Sequence, residues 1–369
     1  MRHEDFMQAA VELAEKGMGY VSPNPMVGAV IVRDGEIIAS GYHERYGGLH
    51  AERNAFKQCD EKGIDCRGAD MYVTLEPCCH HGKQPPCTEA VTAHGIRRVF
   101  VGSSDPNPLV SGRGTEFLRS HGIEVTEGIL KDRCDRLNEI FFKYITTGLP
   151  FVTVKYAMTL DGKTACFTGE SKWITGETAR RHVHRERLRH AAIMVGIGTV
   201  LADDPMLTCR TENGRDPLRI ICDTKLRIPE SSNIVRTADR VPTMIVCGND
   251  SSEKAEMLRK AGCRIVCLPD GNGGTDLAGL MRMLGGEKVD SVLIEGGGTL
   301  AWSALESGIA DKVMAYTAPK IFGGKTAFTP VGGKGAAKPS EAFLLEDTAV
   351  TMLDGDILIE GRVKKCSRD

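Results

Sequence analysis

Short apolar runs with strand character recur through this 369-residue chain, and stretches of helical spacing separate them. That alternation predicts layered α/β structure, with helices covering sheets. The pattern runs through residues 1–146 and restarts at FVTVKYAMTLDGK (151–163), just after TTGLP (146–150). A chain of this length exceeds what one hydrophobic core normally covers, so two domains are expected, 1–146 and 150–369.

In the first half, residues 1–17 read as a helix, and MVGAVIVRDGEIIASGYH (26–43) reads as two strands around Asp34-Gly35, a strong hairpin signal. HAERNAFKQC (50–59) has helical spacing, ADMYVTLEPC (69–78) is a strand, CTEAVTAHG (87–95) a helix ending at glycine, and RRVFVGSSDPNP (97–108) another strand. In the second half AAIMVGIG, LRIICD, TMIVCG, RIVCLP and SVLIEGGG are strand-like, and residues 343–363 read as two strands around Asp354-Gly355.

Composition narrows the function classes. Hydrophobic content of 41% and charged content of 26% fit an ordinary globular protein. The net charge of −2 offers no basic field for nucleic acid or an anionic membrane. No apolar run reaches the roughly 18–20 residues of a membrane span. The N-terminus, MRHEDFMQAAVELAEKG, carries acids among its apolar residues and reads as an amphipathic helix, not a signal peptide. Thirteen cysteines, an odd and scattered set, point to reduced thiols and a cytoplasmic location. Cys59, Cys134, Cys222 and Cys247 read as small buried hydrophobes, and Cys263 and Cys267 as structural.

The stretch EPCCHHGKQPPC (76–87) packs three cysteines and two histidines into twelve positions. Upstream, His50-Ala51-Glu52 opens a predicted helix; Cys78 ends a predicted strand and Cys87 opens the next helix. Imidazole and thiolate are good zinc ligands. One histidine with two cysteines leaves a fourth position open, where zinc lowers the pKa of bound water from about 16 to about 7. Glu52, two residues from His50 and not a ligand, is placed to move protons to a leaving amine. The pattern follows the H-x-E…P-C-x-x-C signature of nucleobase deaminases in its first half. It departs in the second, since eight residues separate Cys78 from Cys87. Cys79 lies too close to Cys78 to be the other ligand in this geometry. The longer loop holds His80, His81 and Lys83, donors suited to an anionic substrate group. The competing reading is a structural Cys3His zinc that uses Cys79, which would have no use for Glu52.

SVLIEGGGTLAWSAL (291–305) is a strand, three glycines and a helix, a turn that lets backbone N–H groups approach a phosphate. It is not G-x-G-x-x-G, and by itself it is equally a tight turn. GIGTVLADDPMLTCR (196–210) places Thr199, Asp203, Asp204 and Arg210 close together; the two aspartates also read as a cap and a turn residue. The basic run RRHVHRERLRH (180–190) lacks interleaved aromatics and reads as a solvated helix with Arg187 turned toward a substrate.

Taken in order, the motifs resemble the bifunctional deaminase/reductase family of bacterial riboflavin biosynthesis, over nearly the whole chain. The residues carrying the resemblance are Pro23-Asn24-Pro25-Met26-Val27-Gly28, Gly41-Tyr42-His43, His50-Ala51-Glu52, Glu76 to Cys87 and Asp105-Pro106-Asn107-Pro108. In the second half they are Lys155, Thr159 to Lys163, Trp173-Ile174-Thr175, Gly198 to Pro205 and Glu295 to Gly298. The resemblance implies a cytidine-deaminase-like zinc domain followed by a dihydrofolate-reductase-like domain that uses NADPH. It implies one zinc on His50, Cys78 and Cys87, with Glu52 as proton shuttle. Substrate contacts for deamination are implied at Asn24, His43, His80, Lys83, Asp105 and Asn107. Cofactor contacts are implied at Ala157, Trp173, Thr199, Asp203, Gly297, Gly298 and Thr299. Contacts to the substrate of the reductase are implied at Lys155, Ser171, Arg187, Leu207, Arg210 and Glu295. Lys155, Arg187 and Arg210 suit a sugar phosphate, and Asp203 is the candidate proton donor. The implied partners are phosphorylated pyrimidines and further copies of the same chain, as a dimer or tetramer, with no nucleic acid or membrane. Cys79 and Thr159 stand where the family commonly has serine; the first raises the prospect of an oxidisable thiol beside the metal.

Overall fold

Asp34 and Gly35 both take positive φ, 51° and 79°, as a two-residue hairpin turn requires. They join β1 (Gly28–Arg33) to β2 (Glu36–Tyr42) in a computed structural model that describes residues 2–81, 84–107, 110–212 and 214–364. The chain divides into two units, Met1–Gly148 and Leu149–Asp369.

The first unit opens with α1 (His3–Ala14), whose Phe6, Met7, Ala10, Val11 and Ala14 recur at helical spacing and are buried. After the hairpin come α2 (Ala51–Lys62), β3 (Asp70–Leu75), α3 (Cys87–Ala93) and β4 (Arg98–Ser103). Then follow α4 (Arg113–Ser120), β5 (Glu124–Glu127), α5 (Lys131–Leu137) and α6 (Glu139–Thr147). The strand order is β2-β1-β3-β4-β5. β1 runs antiparallel to both β2 and β3, whereas β3, β4 and β5 are parallel. β3 is buried along its whole length, because α2 and α3 cover one face of the sheet and α1 with α5 the other. The carboxyl ends of β3 and β4 point the same way, and the segments beginning at Glu76 and Ser104 leave the sheet there.

Two glycines let helices lie directly on strands. A Cβ on Gly28 would stand 2.0 Å from the Ala10 carbonyl oxygen, and one on Gly41 would stand 2.4 Å from Ala55 N and 2.5 Å from Ala51 O. The second contact sets the depth of the first turn of α2.

The second unit comprises β6 (Phe151–Thr159), α7 (Glu177–Arg189), β7 (Ala192–Gly196), α8 (Ile197–Asp203), β8 (Leu218–Cys222), α9 (Asn233–Arg236) and β9 (Thr243–Cys247). It continues with α10 (Glu253–Lys260), β10 (Arg264–Cys267), α11 (Leu277–Gly286), β11 (Ser291–Ile294), α12 (Gly298–Glu306), β12 (Lys312–Ala318), β13 (Leu345–Leu353) and β14 (Asp356–Val363). Among the described residues these strands form one sheet, ordered β10-β9-β8-β7-β11-β6-β12-β14-β13. Pairing is parallel from β10 to β12 and antiparallel through β14 and β13. Val152, Met194, Ile220, Val292 and Ile294 pack on α11 and α12, while Ile193, Val195, Ile221 and Ile245 pack on the opposite side with α8 and α10. Central parallel strands covered on both faces read as continuous apolar runs, which is why the sequence marks them clearly. Arg219, fully buried, donates to the carbonyls of Met206, Ile234 and Val241 and fixes the chain just before Leu207.

Three features differ from the sequence expectations. Residues 113–147, which the sequence left without defined elements, hold three helices and β5; that strand is Glu-Val-Thr-Glu, too polar to show alternation. Residues 197–203 form a helix, with Asp204 at φ 38° just beyond it. The basic run lies on α7 as expected, but Glu186 in its middle is buried.

A Gly41→Ala substitution should overpack the contact between β2 and α2 and cost about 1–3 kcal/mol. Thermal unfolding should show a lowered midpoint for the first unit and an unchanged transition for the second.

Candidate active sites

His50 is the N-cap of α2 and Cys87 the first residue of α3, while Cys78 follows the end of β3. His50 Nδ1 lies 3.4 Å from the sulfurs of both Cys78 and Cys87. One ligand atom from each residue falls within 4.8 Å of the others. A nitrogen and two sulfurs at this spacing, with one side left to the cavity described below, fit a zinc ion by donor chemistry. Hydrogen bonding from Cys87, including its backbone N–H at 3.4 Å, and from His50 draws the Cys78 thiol toward thiolate. The interaction with Cys78 raises the His50 pKa. Arg53 donates to the carbonyls of Pro85 and Pro86 and so ties the loop before Cys87 to α2. Glu52 is 3% exposed, and burial, followed by the charge of Cys78, raises its pKa.

A cavity of about 280 Å³ opens against this cluster. Asn24, His43, His50, Glu52, Cys78, His80, Asp105 and Asn107 line it. Asn138 holds Met26 by both its backbone N–H (2.8 Å) and its carbonyl (3.0 Å), which fixes the segment bearing Asn24. His43 Nδ1 lies 2.9 Å from the Leu49 carbonyl and must donate to it, so Nε2 accepts from the Asn24 amide at 3.1 Å. Burial lowers the His43 pKa, in keeping with that neutral tautomer. Burial is also the main cause that lifts the Asp105 carboxyl to about 6, with the Glu76 and Cys78 charges adding to it and the Asn107 N–H opposing. His80 Nδ1 is buried without a hydrogen-bond partner among the described residues. Lys83 and Pro108 lie outside the described residues.

In the second unit Glu295 directly follows β11 and meets two cations. Arg187 Nε and Nη2 donate to its two oxygens at 2.7 and 2.9 Å, and Lys155 Nζ stands 3.6 Å away. Burial would raise the Glu295 pKa, but Arg187 and Lys155 outweigh it and bring the value to about 2. Two of the three cations expected at a sugar phosphate are thus already paired with an acid of this chain. The same Arg187 donates to the Thr208 carbonyl at 2.9 Å, which draws the segment of Leu207 and Arg210 to the site. Gly296 and Gly297 take φ of 126° and 87°, and a Cβ on Gly298 would stand 3.1 Å from Gly332 N and Thr329 O. Only glycine fits this turn, which opens α12 onto a cavity of about 590 Å³ lined by Gly196, Gly198, Gly297 and Thr299. Backbone N–H groups at a helix start, beside a cavity of that size, fit the phosphates of a nucleotide cofactor. A Cβ on Gly296 would stand 2.9 Å from Thr199 Oγ1, which places Thr199 against this turn. Ser171 Oγ donates to Asp203 Oδ1 at 3.4 Å. Trp173 is 62% exposed, with the Arg180 guanidinium 4.7 Å from its ring centre and Lys320 donating to its carbonyl.

Both halves match known families. Residues 1–103 match the cytidine and deoxycytidylate deaminase zinc-binding region, and residues 150–359 match the RibD C-terminal domain. The riboflavin biosynthesis protein RibD of Actinobacillus pleuropneumoniae is 51% identical over 356 residues, covering 96% of this chain and 94% of that protein. The chain belongs to the RibD family. RibD of Escherichia coli is 40% identical, over 88% of this chain and 89% of its own. The crystal structure of a diaminohydroxyphosphoribosylaminopyrimidine deaminase/5-amino-6-(5-phosphoribosylamino)uracil reductase from Thermotoga maritima superposes with a TM-score of 0.85 at 40% identity, covering 98% of both chains. Acinetobacter baumannii RibD gives 0.83 at 35% identity, over 98% of this chain and 99% of that one. As a RibD the chain is a bifunctional enzyme of riboflavin biosynthesis, with a zinc deaminase domain and an NADPH-dependent reductase domain.

The RibD deaminase cavity also includes Tyr46, Gln84, Phe141 and Ile145, which the sequence did not single out. Phe141 and Ile145 carry no chemistry; their only signal is the i, i+4 spacing on α6. In the reductase domain His184 was likewise missed. It lies one turn before Arg187, and burial together with Arg187 and Arg210 pushes its pKa down to about 4, so its imidazole is neutral. Cys79 is not among the clustered donors, and burial, then Glu76 and Cys78, raise its pKa and disfavour the reactive thiolate.

The depressed Glu295 pKa has a consequence for acid stability. Its ion pairs contribute fully above the ordinary value of 4.5, and the contribution is lost as pH falls from 4.5 through about 2. The amount is on the order of 3 kcal/mol. Acid titration of unfolding should be shallower over that window in Glu295→Gln than in the parent, provided the second unit is monitored.

Proposed function

We propose that residues 1–146 hydrolyse the amino group from a diamino-ribosylamino-pyrimidinone 5′-phosphate, and that residues 150–369 then reduce the ribosyl group of the resulting 5-amino-6-(5-phosphoribosylamino)uracil to ribityl. The observation that carries the first assignment is the buried carboxylate of Glu52 beside a three-donor metal cluster at the floor of a cavity. His50, Cys78 and Cys87 would hold the zinc. Zinc, when bound, supplies Lewis acidity and makes water nucleophilic at neutral pH. Glu52, with its pKa raised by burial, takes a proton from the attacking water and returns it to the departing amino group, which leaves as ammonia. Neutral His43 fixes the Asn24 amide and leaves its oxygen to accept from the pyrimidine. His80, Lys83, Asp105 and Asn107 complete the substrate contacts, with Lys83 serving the phosphate.

NADPH, when bound, supplies hydride to the second step. Gly297, Gly298 and Thr299 would receive its phosphates, with Thr199, Asp203, Ala157 and Trp173 as further contacts. Glu295, held by Arg187 and Lys155, presents a fixed carboxylate to the ribose or pyrimidine. Arg210 is left as the cation for the substrate phosphate, with Ser171, Leu207 and His184 beside it.

The purified zinc-loaded protein should release ammonia from the diaminopyrimidinone phosphate without NADPH. Glu52→Gln should retain one zinc per chain and lose ammonia release by about 10²–10⁴-fold, while oxidising NADPH normally on deaminated substrate. Appreciable ammonia from the variant would reject the shuttle role.

The protein is further inferred to work in the cytoplasm as a homo-oligomer, dimer or tetramer. No helix among the described residues is long and apolar enough to cross a membrane. The edge strand β13 exposes Val350 and Met352 by 67% and 63%, and an exposed apolar edge invites a partner. Analytical ultracentrifugation should give a mass of two or four chains, and Val350→Lys with Met352→Lys should lower it.

A further inference from the structure

Asp105 and Asn107, two of the proposed substrate contacts, leave the carboxyl end of β4. Within this segment the Asp105 carboxylate accepts from Asn107 N at 2.8 Å, and the Asn107 carbonyl accepts from Val110 N and Ser111 N at 2.8 and 2.9 Å. A further tie comes from a neighbouring strand. Glu76, the residue after β3, is 4% exposed, and its backbone N–H donates to Ser103 O at 2.9 Å, next to the start of the loop. Its carboxylate then accepts four backbone N–H groups. Oε2 takes Asp105 N at 3.3 Å and Gly112 N at 3.0 Å; Oε1 takes Gly114 N at 2.9 Å and Thr115 N at 3.3 Å. Both oxygens are thereby occupied from the two ends of the loop at once.

The last two donors are the orphan N–H groups in the first turn of α4, a helix with no side-chain cap of its own. A carboxylate there is favoured by the helix dipole as well as by the hydrogen bonds. The approach also needs a glycine: a Cβ on Gly114 would stand 2.1 Å from Pro77 O and 3.1 Å from Glu76 Oε1. Glu76 and Pro77 thus meet the far end of the loop on the same short stretch that leads to Cys78.

We propose that Glu76 is a positioning residue for deamination: it holds the backbone at Asp105, Gly112, Gly114 and Thr115 and so sets where Asp105 and Asn107 stand at the cavity. It makes no proton transfer and binds no metal. The inference rests on the assignment of Asp105 and Asn107 as substrate contacts.

The test uses the full-length zinc-loaded enzyme. Glu76→Gln keeps the shape of the side chain but replaces one acceptor oxygen with a donor facing two N–H groups. Expected are a rise of tenfold or more in the deamination KM, kcat within about threefold of the parent, one zinc per chain, and unaltered reduction of deaminated substrate. Amide hydrogen exchange should quicken at Asp105, Gly112, Gly114 and Thr115 and stay unchanged in α2. Asn107→Ala serves as the comparison and should also raise KM. An unchanged KM in Glu76→Gln alongside a raised one in Asn107→Ala would overturn the role of Glu76 alone; an unchanged KM in both would overturn the substrate reading of the loop with it. Loss of zinc together with a collapse of kcat would overturn the proposal in favour of support for the metal strand. Should Glu76→Gln fail to fold, exchange in the parent decides: protected amides at Gly112 and Gly114 sustain the proposal, and unprotected ones overturn it.

Discussion

Three donors from three separate elements meet in the first unit because α2 and α3 both begin beside the carboxyl end of β3. A helix start is electropositive and short of hydrogen-bond acceptors, so it favours thiolate and carboxylate over their neutral forms. His50 caps one helix, Cys87 begins another, and Cys78 lies between them on the strand side. The same geometry decides where Glu52 falls. Two residues into α2 it is inside the protein, where water cannot stabilise its charge, and this gives a carboxylate the affinity for a proton that a shuttle needs.

The reductase domain solves a different problem with the same economy of elements. β11 is followed at once by Glu295 and then by the glycine turn that starts α12. One strand end therefore carries both a charged partner for Lys155 and Arg187 and the backbone on which a cofactor would rest. The fork from Arg187 to Glu295 satisfies both carboxylate oxygens, so the acid can be buried without losing its charge. Arg187 is itself held by its position on α7, whose Ala179 and Val183 pack against Met314, Tyr316, Leu353 and Leu358. The basic stripe along that helix is thereby split: Arg187 meets Glu295, Arg180 lies over Trp173 and Arg181 pairs with Glu177.

Much of this was legible in the sequence, for physical reasons that differ by element. The central strands of both sheets are buried on two faces and announce themselves as apolar runs; the two Asp-Gly turns demand positive φ and mark their hairpins. The cluster of His50, Cys78 and Cys87 was legible because few functions need His, Glu and two Cys in that order. Polar β5 and the short helices α4 and α5 were not legible, since they hold few apolar residues, and α6 was passed over although its Phe141 and Ile145 line the cavity, because neither carries chemistry that marks it. Nor were the pairings that depend on distant contact. Glu295 and Arg187 stood in the sequence only as separate implied substrate contacts, and the fold brings Arg187, 108 residues away, onto both oxygens of Glu295. Glu76 was visible as part of a motif, but nothing in its neighbours tells that its partners are backbone amides some thirty residues on.

Those partners have a bearing on how the enzyme could change. A backbone N–H is the same group whatever side chain it carries. Apart from Gly112, whose φ of 76° favours glycine, and Gly114, where a side chain would strike Pro77, the residues whose amides Glu76 holds can exchange side chains while keeping that hydrogen bond. Natural drift or deliberate redesign could therefore vary the groups offered to the ring and its substituents one at a time, on a frame that does not have to be reinvented with each exchange.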